Sequence, residues 1–319
     1  MRRRLFLAGS TAALAQAPYQ YFLTGSAADA KTKTSAGYLL MGGGKDVDAA
    51  FQWLIRKSGG GDVVVIRASG GDGYNRYIEA LGQVDSVESL VIATPEAARD
   101  PFVLERIRRA EALFLAGGDQ WNYVRVWGAS PVRAAVQELI DRGVPVGGTS
   151  AGLAVLGEFV FTAQKDTVTS AQALADPYDE RVTVGDAFVR IPALAGVITD
   201  SHFVARDRMG RLLVFLARIL QNGGAKEARA IAIDERTAAL VEPGGQTSVA
   251  GEGPIYFLRA VQPPEVCRPG VPLTMGGIDV YRVKAGGEFD CKQWKGSGGT
   301  AYRLSVKAGV VESSTGKIW

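Results

Sequence analysis

The chain has 319 residues, 47% hydrophobic and 22% charged, which is ample for a large core and excludes a disordered chain. A formal net charge of +3 is small for this length and points to neither a nucleic acid nor an anionic membrane as partner. The 40 glycines cluster beside apolar runs, as in turn-rich α/β units, and no internal stretch reaches the length of a membrane span.

The N-terminus reads as an export signal. Arg2, Arg3 and Arg4 precede an apolar run from Leu5 to Ala17 that is rich in small residues, with a loose twin-arginine pattern. Ala15-Gln16-Ala17 has the small-x-small form, but Pro18 after it impedes cleavage, so Ala28-Asp29-Ala30 is the expected cut. Residues 1–30 are then a signal peptide, and the mature protein is periplasmic or extracellular with no membrane span. Export fits a disulfide between Cys267 and Cys291, whose loop closure would contribute about 3 kcal/mol.

Short continuous apolar runs at Tyr38–Met41, Val63–Ile66, Leu90–Ala93, Ala112–Ala116 and Val144–Val146 read as buried strands. Helical patterns lie between them. One starts at Ser130-Pro131, an N-cap with a first-turn proline, and ends at Gly143. This alternation predicts an α/β fold, a mostly parallel sheet with helices on both faces. From about Arg229 the texture changes to short strands at Ile231–Asp234, Ala238–Glu242, Ile255–Leu258, Val280–Val283 and Tyr302–Val306. The expected organisation is an α/β domain over residues 31–260 and a β-rich C-terminal extension over residues 261–319.

Ligands in such sheets bind at the C-terminal ends of strands. Three glycine-rich loops fall there: Met41-Gly42-Gly43-Gly44, Ala116-Gly117-Gly118-Asp119-Gln120 and Gly147-Gly148-Thr149-Ser150-Ala151-Gly152. The last places Ser150 in a G-x-S-x-G turn between a buried strand and an apolar segment read as the start of a helix. That geometry exposes a nucleophilic hydroxyl. The only histidine, His202, follows the strand Ala195–Ile198 and precedes a helix with the apolar face Met209, Leu212, Leu213, Leu216, Ile219 and Leu220. A serine–histidine mechanism therefore uses His202 or does not exist. Gly70-Gly71-Asp72-Gly73-Tyr74-Asn75 is a strand-end loop without dinucleotide or calcium spacing, and no metal-ligand cluster or P-loop occurs, so no cofactor is expected.

Gly117-Gly118-Asp119-Gln120, Gly148-Thr149-Ser150-Ala151-Gly152 and Asp200-Ser201-His202-Phe203 with Arg206, Arg208 and Arg211 resemble the cyanophycinase/peptidase E family of serine peptidases. The resemblance spans roughly Tyr38 to Leu258 and departs at Ser201, where cyanophycinases usually carry Gln. It implies a fold like the class I glutamine amidotransferases and a triad in the order Ser, acid, His. The implied acid lies a short way beyond the serine, which selects Asp166; Glu158 is too close to the turn. It also implies an oxyanion hole from the N–H groups of Gly118 and Ala151, the latter being the usual donor in an elbow. Gln120, Asp200, Arg206, Arg208 and Arg211 would bind substrate, the arginines as carboxylate grips.

The expected activity is hydrolysis of aspartyl peptide or isopeptide bonds, with the aspartyl residue on the acyl side, including the β-aspartyl–arginine units of cyanophycin. A homodimer stays open. An α/β-hydrolase esterase shares the G-x-S-x-G turn but places its histidine far downstream, whereas His202 is 52 residues from Ser150. An amidotransferase-type glutaminase needs Cys at position 150. A non-catalytic binding protein on the same fold would have no reason to keep the serine and histidine.

Overall fold

The computed structural model describes residues 17–319. Arg2, Arg3, Arg4 and most of the apolar run after them lie outside the described residues. Two sheets form the molecule. The first has a parallel centre in the order β4 (Ser86–Val91), β3 (Val63–Arg67), β5 (Ala112–Leu115), β6 (Val146–Thr149) and β2 (Tyr38–Met41). Antiparallel strands extend it on both sides. β1 (Gln20–Gly25) pairs with β4, while β11 (Thr237–Val241), β12 (Gln246–Gly251), β16 (Glu288–Asp290) and β17 (Lys295–Ser297) continue beyond β2.

The second sheet runs β19 (Val310–Ser313), β18 (Thr300–Lys307), β15 (Val271–Val283), β13 (Ile255–Ala260), β10 (Ala228–Ile233), β9 (Val197–Asp200), β7 (Phe159–Phe161) and β8 (Val184–Asp186). A short β14 (Val266–Arg268) pairs with β15. Helices α1 (Asp48–Ser58) and α2 (Asn75–Glu79) pack on one face of the first sheet, where Leu39, Val65 and Phe114 meet Phe51, Leu54 and Ile78. The opposite face carries Leu40, Ile66 and Leu115 into a core shared with α3 (Pro101–Arg109), α5 (Pro131–Asp141) and the second sheet through Ile231, Phe257 and Val283. The far face of the second sheet is covered by α7 (Ser170–Ala175) and α8 (Met209–Gln221). Two single-turn pieces, α4 (Gln120–Asn122) and α6 (Ala151–Ala154), sit at strand ends.

The α/β class with helices on both faces is therefore present, and α5 begins as its capping residues dictate. Ser130 Oγ accepts from Val132 N at 3.3 Å and Pro131 fills the first turn. The second sheet is the addition. The strands beyond residue 260 do not stand apart: β13 pairs with β15, β16 extends the first sheet, and Val283, Phe289 and Cys291 join its core. The helix expected from Leu153 to Leu156 is a single turn, because the chain leaves α6 at once for β7 in the second sheet.

One expectation is corrected. Cys267 and Cys291 are both buried as free thiols. Cys267 belongs to the core under α8 and Cys291 to the core between the sheets, where Thr247 Oγ1 lies 3.3 Å from its sulfur. Separately, the six residues of β1 pair with β4, and Tyr21 within it and Tyr19 just before it pack on Phe102, so this part of the expected signal segment is built into the first sheet. Asn75 Nδ2 also donates to Phe22 O at 3.3 Å. Two predictions follow from these contacts. Under denaturing conditions without reductant both cysteines should titrate as thiols, and dithiothreitol should leave the melting temperature unchanged; a loss on reduction would restore the disulfide. A chain starting at residue 31 should melt roughly 5–10 °C below one starting at residue 17, since it exposes the β4 edge and the Phe102 surface. Equal melting temperatures would make β1 dispensable.

Candidate active site

Ser150 follows β6 directly, with φ 51 and ψ −111, a left-handed conformation that costs a non-glycine residue about 1 kcal/mol or more. The turn survives because its neighbours are glycines. A Cβ on Gly148 would lie 2.5 Å from the Gly152 carbonyl carbon, and one on Gly152 would collide with the Leu115 carbonyl oxygen. The backbone is fixed by Ser150 N donating to Met41 O at 3.1 Å. Sequence spacing thus becomes a hydroxyl held at the end of the parallel sheet.

His202 comes from the second sheet. It sits just past β9 at φ 47, and its N–H donates to Gly42 O at 2.8 Å. Its Nε2 lies 2.8 Å from Ser150 Oγ, and its Nδ1 lies 2.6 Å from Glu235 Oε1. With the Nδ1 proton directed at the carboxylate, Nε2 is free to accept from the serine hydroxyl. Gly43, at φ 95, backs the imidazole so closely that a Cβ there would stand 2.5 Å from Nε2. Glu235 is placed by the crossing from β10 to β11, where Arg236 N donates to Gly43 O at 2.9 Å. Asp234 Oδ1 accepts from Val204 N and Ala205 N, both at 3.0 Å, and ties that crossing to the histidine loop.

Burial is the main influence on His202 and holds its pKa below the ordinary imidazole value; nearby Arg206 and Arg208 push the same way, and the Glu235 hydrogen bond opposes them. The ring is therefore neutral at neutral pH, the state in which it can take a proton. The same hydrogen bond holds the Glu235 carboxyl below its usual range.

The loop after β5 completes the nucleophile's surroundings. A Cβ on Gly117 would stand 3.5 Å from Ser150 Cβ, and Tyr123 anchors the loop by donating to Ala116 O at 2.8 Å and Gly117 O at 3.1 Å. Gly118 N has no backbone acceptor among the described residues. Ala151 opens α6, so its N–H has no intrahelical acceptor. Both border a cavity of about 370 Å³ that also reaches Gln120, Phe161, Asp166 and Arg206.

The three arginines divide by environment. Arg211 is buried and doubly bonded to Asp200, Nε to Oδ2 at 2.9 Å and Nη2 to Oδ1 at 2.5 Å, with Phe161 stacked 4.9 Å from its guanidinium. Arg208 donates to Ser201 O at 2.7 Å, and burial lowers its pKa to about 10, which leaves it charged. Arg206 is exposed, and its guanidinium has no side-chain partner among the described residues although it lines the cavity. Gln120 Nε2 donates to Phe161 O at 3.3 Å at the same wall.

Asp166 is in this cavity too, but not on the imidazole. It lies beyond β7, at φ 86, with its carboxylate accepting from its neighbour Thr167 N at 2.6 Å. Glu158 is turned away and accepts from Gly196 N. The carboxylate at Nδ1 is Glu235, so the order along the chain is Ser, His, Glu. The physical reason is topological: β7 delivers Asp166 to the cavity rim, whereas β10, parallel to β9, delivers Glu235 beside the histidine. A signal was present in the strand Ile231–Asp234, since the residue after it falls at the C-terminal end of a strand, where the ligand rule applies.

Residues 70–176 match the model of peptidase family S51. The chain is 29% identical over 228 residues to the cyanophycinase of Trichormus variabilis, covering 70% of this chain and 71% of that protein. It is 27% identical over 187 residues to the cyanophycinase of Geminocystis herdmanii, covering 58% of this chain and 63% of the relative. The crystal structure of a peptidase from an acI-B1 actinobacterium has the same fold, with a TM-score of 0.54 at 17% identity over 80% of this chain and 97% of that one. The serine elbow, the histidine loop and these matches together mark the chain as a serine-type peptidase, similar to family S51 over residues 70–176.

Proposed function

We propose that the chain hydrolyses aspartyl peptide or isopeptide bonds, with Ser150 as nucleophile, His202 as general base and acid, and Glu235 as the carboxylate that orients the imidazole. The hydrogen-bonded chain Ser150–His202–Glu235 carries this reading. His202 Nε2 takes the hydroxyl proton as Ser150 Oγ attacks the carbonyl carbon, and Glu235 stabilises the imidazolium that forms. The N–H groups of Gly118 and Ala151 receive the oxyanion. His202 then gives its proton to the leaving amine as the C–N bond breaks. Water next attacks the Ser150 ester with its proton passing to His202, which returns it to Ser150 Oγ as the ester bond breaks and the acid departs. The uncompensated guanidinium of Arg206, beside the nucleophile in the cavity, is suited to the free carboxylate of an aspartyl acyl group. The named activity of the cyanophycinase relatives supports the β-aspartyl–arginine polymer as the substrate to try first. Export remains part of this reading. Because β1 is built into the sheet, a cut that precedes Gln20 suits the mature fold and one after Ala30 does not.

A fluorophosphonate probe should label the protein, and Ser150→Ala or His202→Ala should abolish labelling and lower turnover by on the order of a million-fold. Glu235→Gln should cost about 10⁴ in kcat and Asp166→Asn far less; the reverse ranking would return the acid to Asp166. Turnover needs neutral His202, so kcat/KM should fall on the acid side with a midpoint below the free imidazole value. Loss of the Glu235 charge should shift that midpoint further down. The single histidine makes a proton NMR titration unambiguous, and an upward shift in Glu235→Gln would sink the pairing.

A further inference from the structure

A second cavity, of about 200 Å³, is lined by Lys45, Asp46, Arg67, Gly73, Tyr74 and Tyr77 and shares no residue with the Arg206 cavity. Its walls come from the loops after β2 and β3, the strands that flank β5 and β6 in the sheet. It thus borders the ends of the strands that carry Gly117 and Ser150. Tyr74 packs its ring 5.4 Å from Phe114 on β5, and Lys45 is two residues beyond Gly43, which backs the proton-donating edge of His202.

The charges in this cavity are open. Arg67 uses Nε on Ser69 O at 2.5 Å and Nη1 on Gly71 O at 3.0 Å, leaving Nη2 without a partner among the described residues. Lys45 is exposed and forms no ion pair among them. Asp46 is engaged only by the Tyr74 hydroxyl at 3.5 Å. Burial raises its carboxyl to about 6, as befits an acid that the adjacent cations do not hold. Lys45 and the Nη2 end of Arg67, two cationic donors with no carboxylate partner at a wall beside aromatic rings, are suited to receive a carboxylate.

His202 delivers its proton to the departing amine, and the chain leading from Gly43 past its ring runs directly to Lys45 and Asp46. We propose that this second cavity is the leaving-side subsite of the same centre, where Lys45 and Arg67 bind the free terminal carboxylate of the departing amino acid or peptide. The subsite rests on the proposed peptidase reading and adds to it a preference for substrates with an unblocked carboxyl end. Arg206 would serve the acyl side and these two cations the other.

The test compares three aspartyl substrates on the full protein: a dipeptide with a free C-terminal carboxylate, the same dipeptide amidated, and an aspartyl p-nitroanilide. The free acid should exceed the amide in kcat/KM by on the order of tenfold, mainly through KM, and Lys45→Met should erase most of that ratio. Charge reversal in Lys45→Glu should invert it, and Arg67→Lys, which keeps the charge but loses the fork, should reduce it in part. A wild-type ratio near one, or a ratio that survives Lys45→Glu, overturns the subsite while p-nitroanilide hydrolysis still upholds the peptidase reading. No hydrolysis of any of the three would overturn both.

Discussion

The site depends on a backbone hub at Met41–Gly43, where the ends of the two sheets meet. Met41 O accepts from Ser150 N, Gly42 O from His202 N, and Gly43 O from Arg236 N, while Gly42 N donates to Thr237 O. Ser150 belongs to the first sheet, His202 and Glu235 to the second, and this strand end bonds to the segments bearing all three. Ser150 and His202 are both left-handed, at φ 51 and 47, and each is anchored to adjacent residues of the same strand end. The strain is tolerated because both conformations are fixed from outside their own loops. A side chain at Gly42 or Gly43 would break the arrangement, since it would strike Asp234 O or the imidazole itself.

Glu235 sits where the chain passes from the second sheet, at β10, into the first, at β11. A carboxylate on such a crossing is set by both sheets at once. It also explains why this residue was hard to see. The strands on either side were legible as Ile231–Asp234 and Ala238–Glu242, but their membership of different sheets depends on pairings far apart in sequence. Asp166 had the spacing that the resemblance implies, but β7 carries it to the cavity rim and not to the imidazole.

Elsewhere, legibility followed burial. β2, β3 and β5 are buried apolar runs and read correctly from their residues alone. β4 was expected at Leu90–Ala93 but spans Ser86–Val91, because Ser86, Glu88 and Ser89 are buried polar residues with hidden partners in Asp62, Arg106 and Asn75. The strand-end positions of Ser150 and His202 were legible, since that rule needs no partner. The disulfide failed for the opposite reason: sequence separation gives loop length but not the sheet that divides Cys267 from Cys291. The family motif also presented three equivalent arginines, and only packing distinguishes them.

That distinction governs the electrostatics of the cleft. Asp200 and Arg211 are buried and mutually saturated, and Arg208 is held against Ser201 O, so these charges organise the wall and leave little free attraction. What is left uncompensated is Arg206 in one cavity and Lys45 with Arg67 in the other. The whole chain carries only +3, so no general field dominates the cleft. The local charge comes from these few cations, and exclusion of water strengthens it over a short range. Of these, Arg206 depresses the pKa of His202, as Arg208 does and after burial, so a cation without a carboxylate partner helps keep the imidazole neutral.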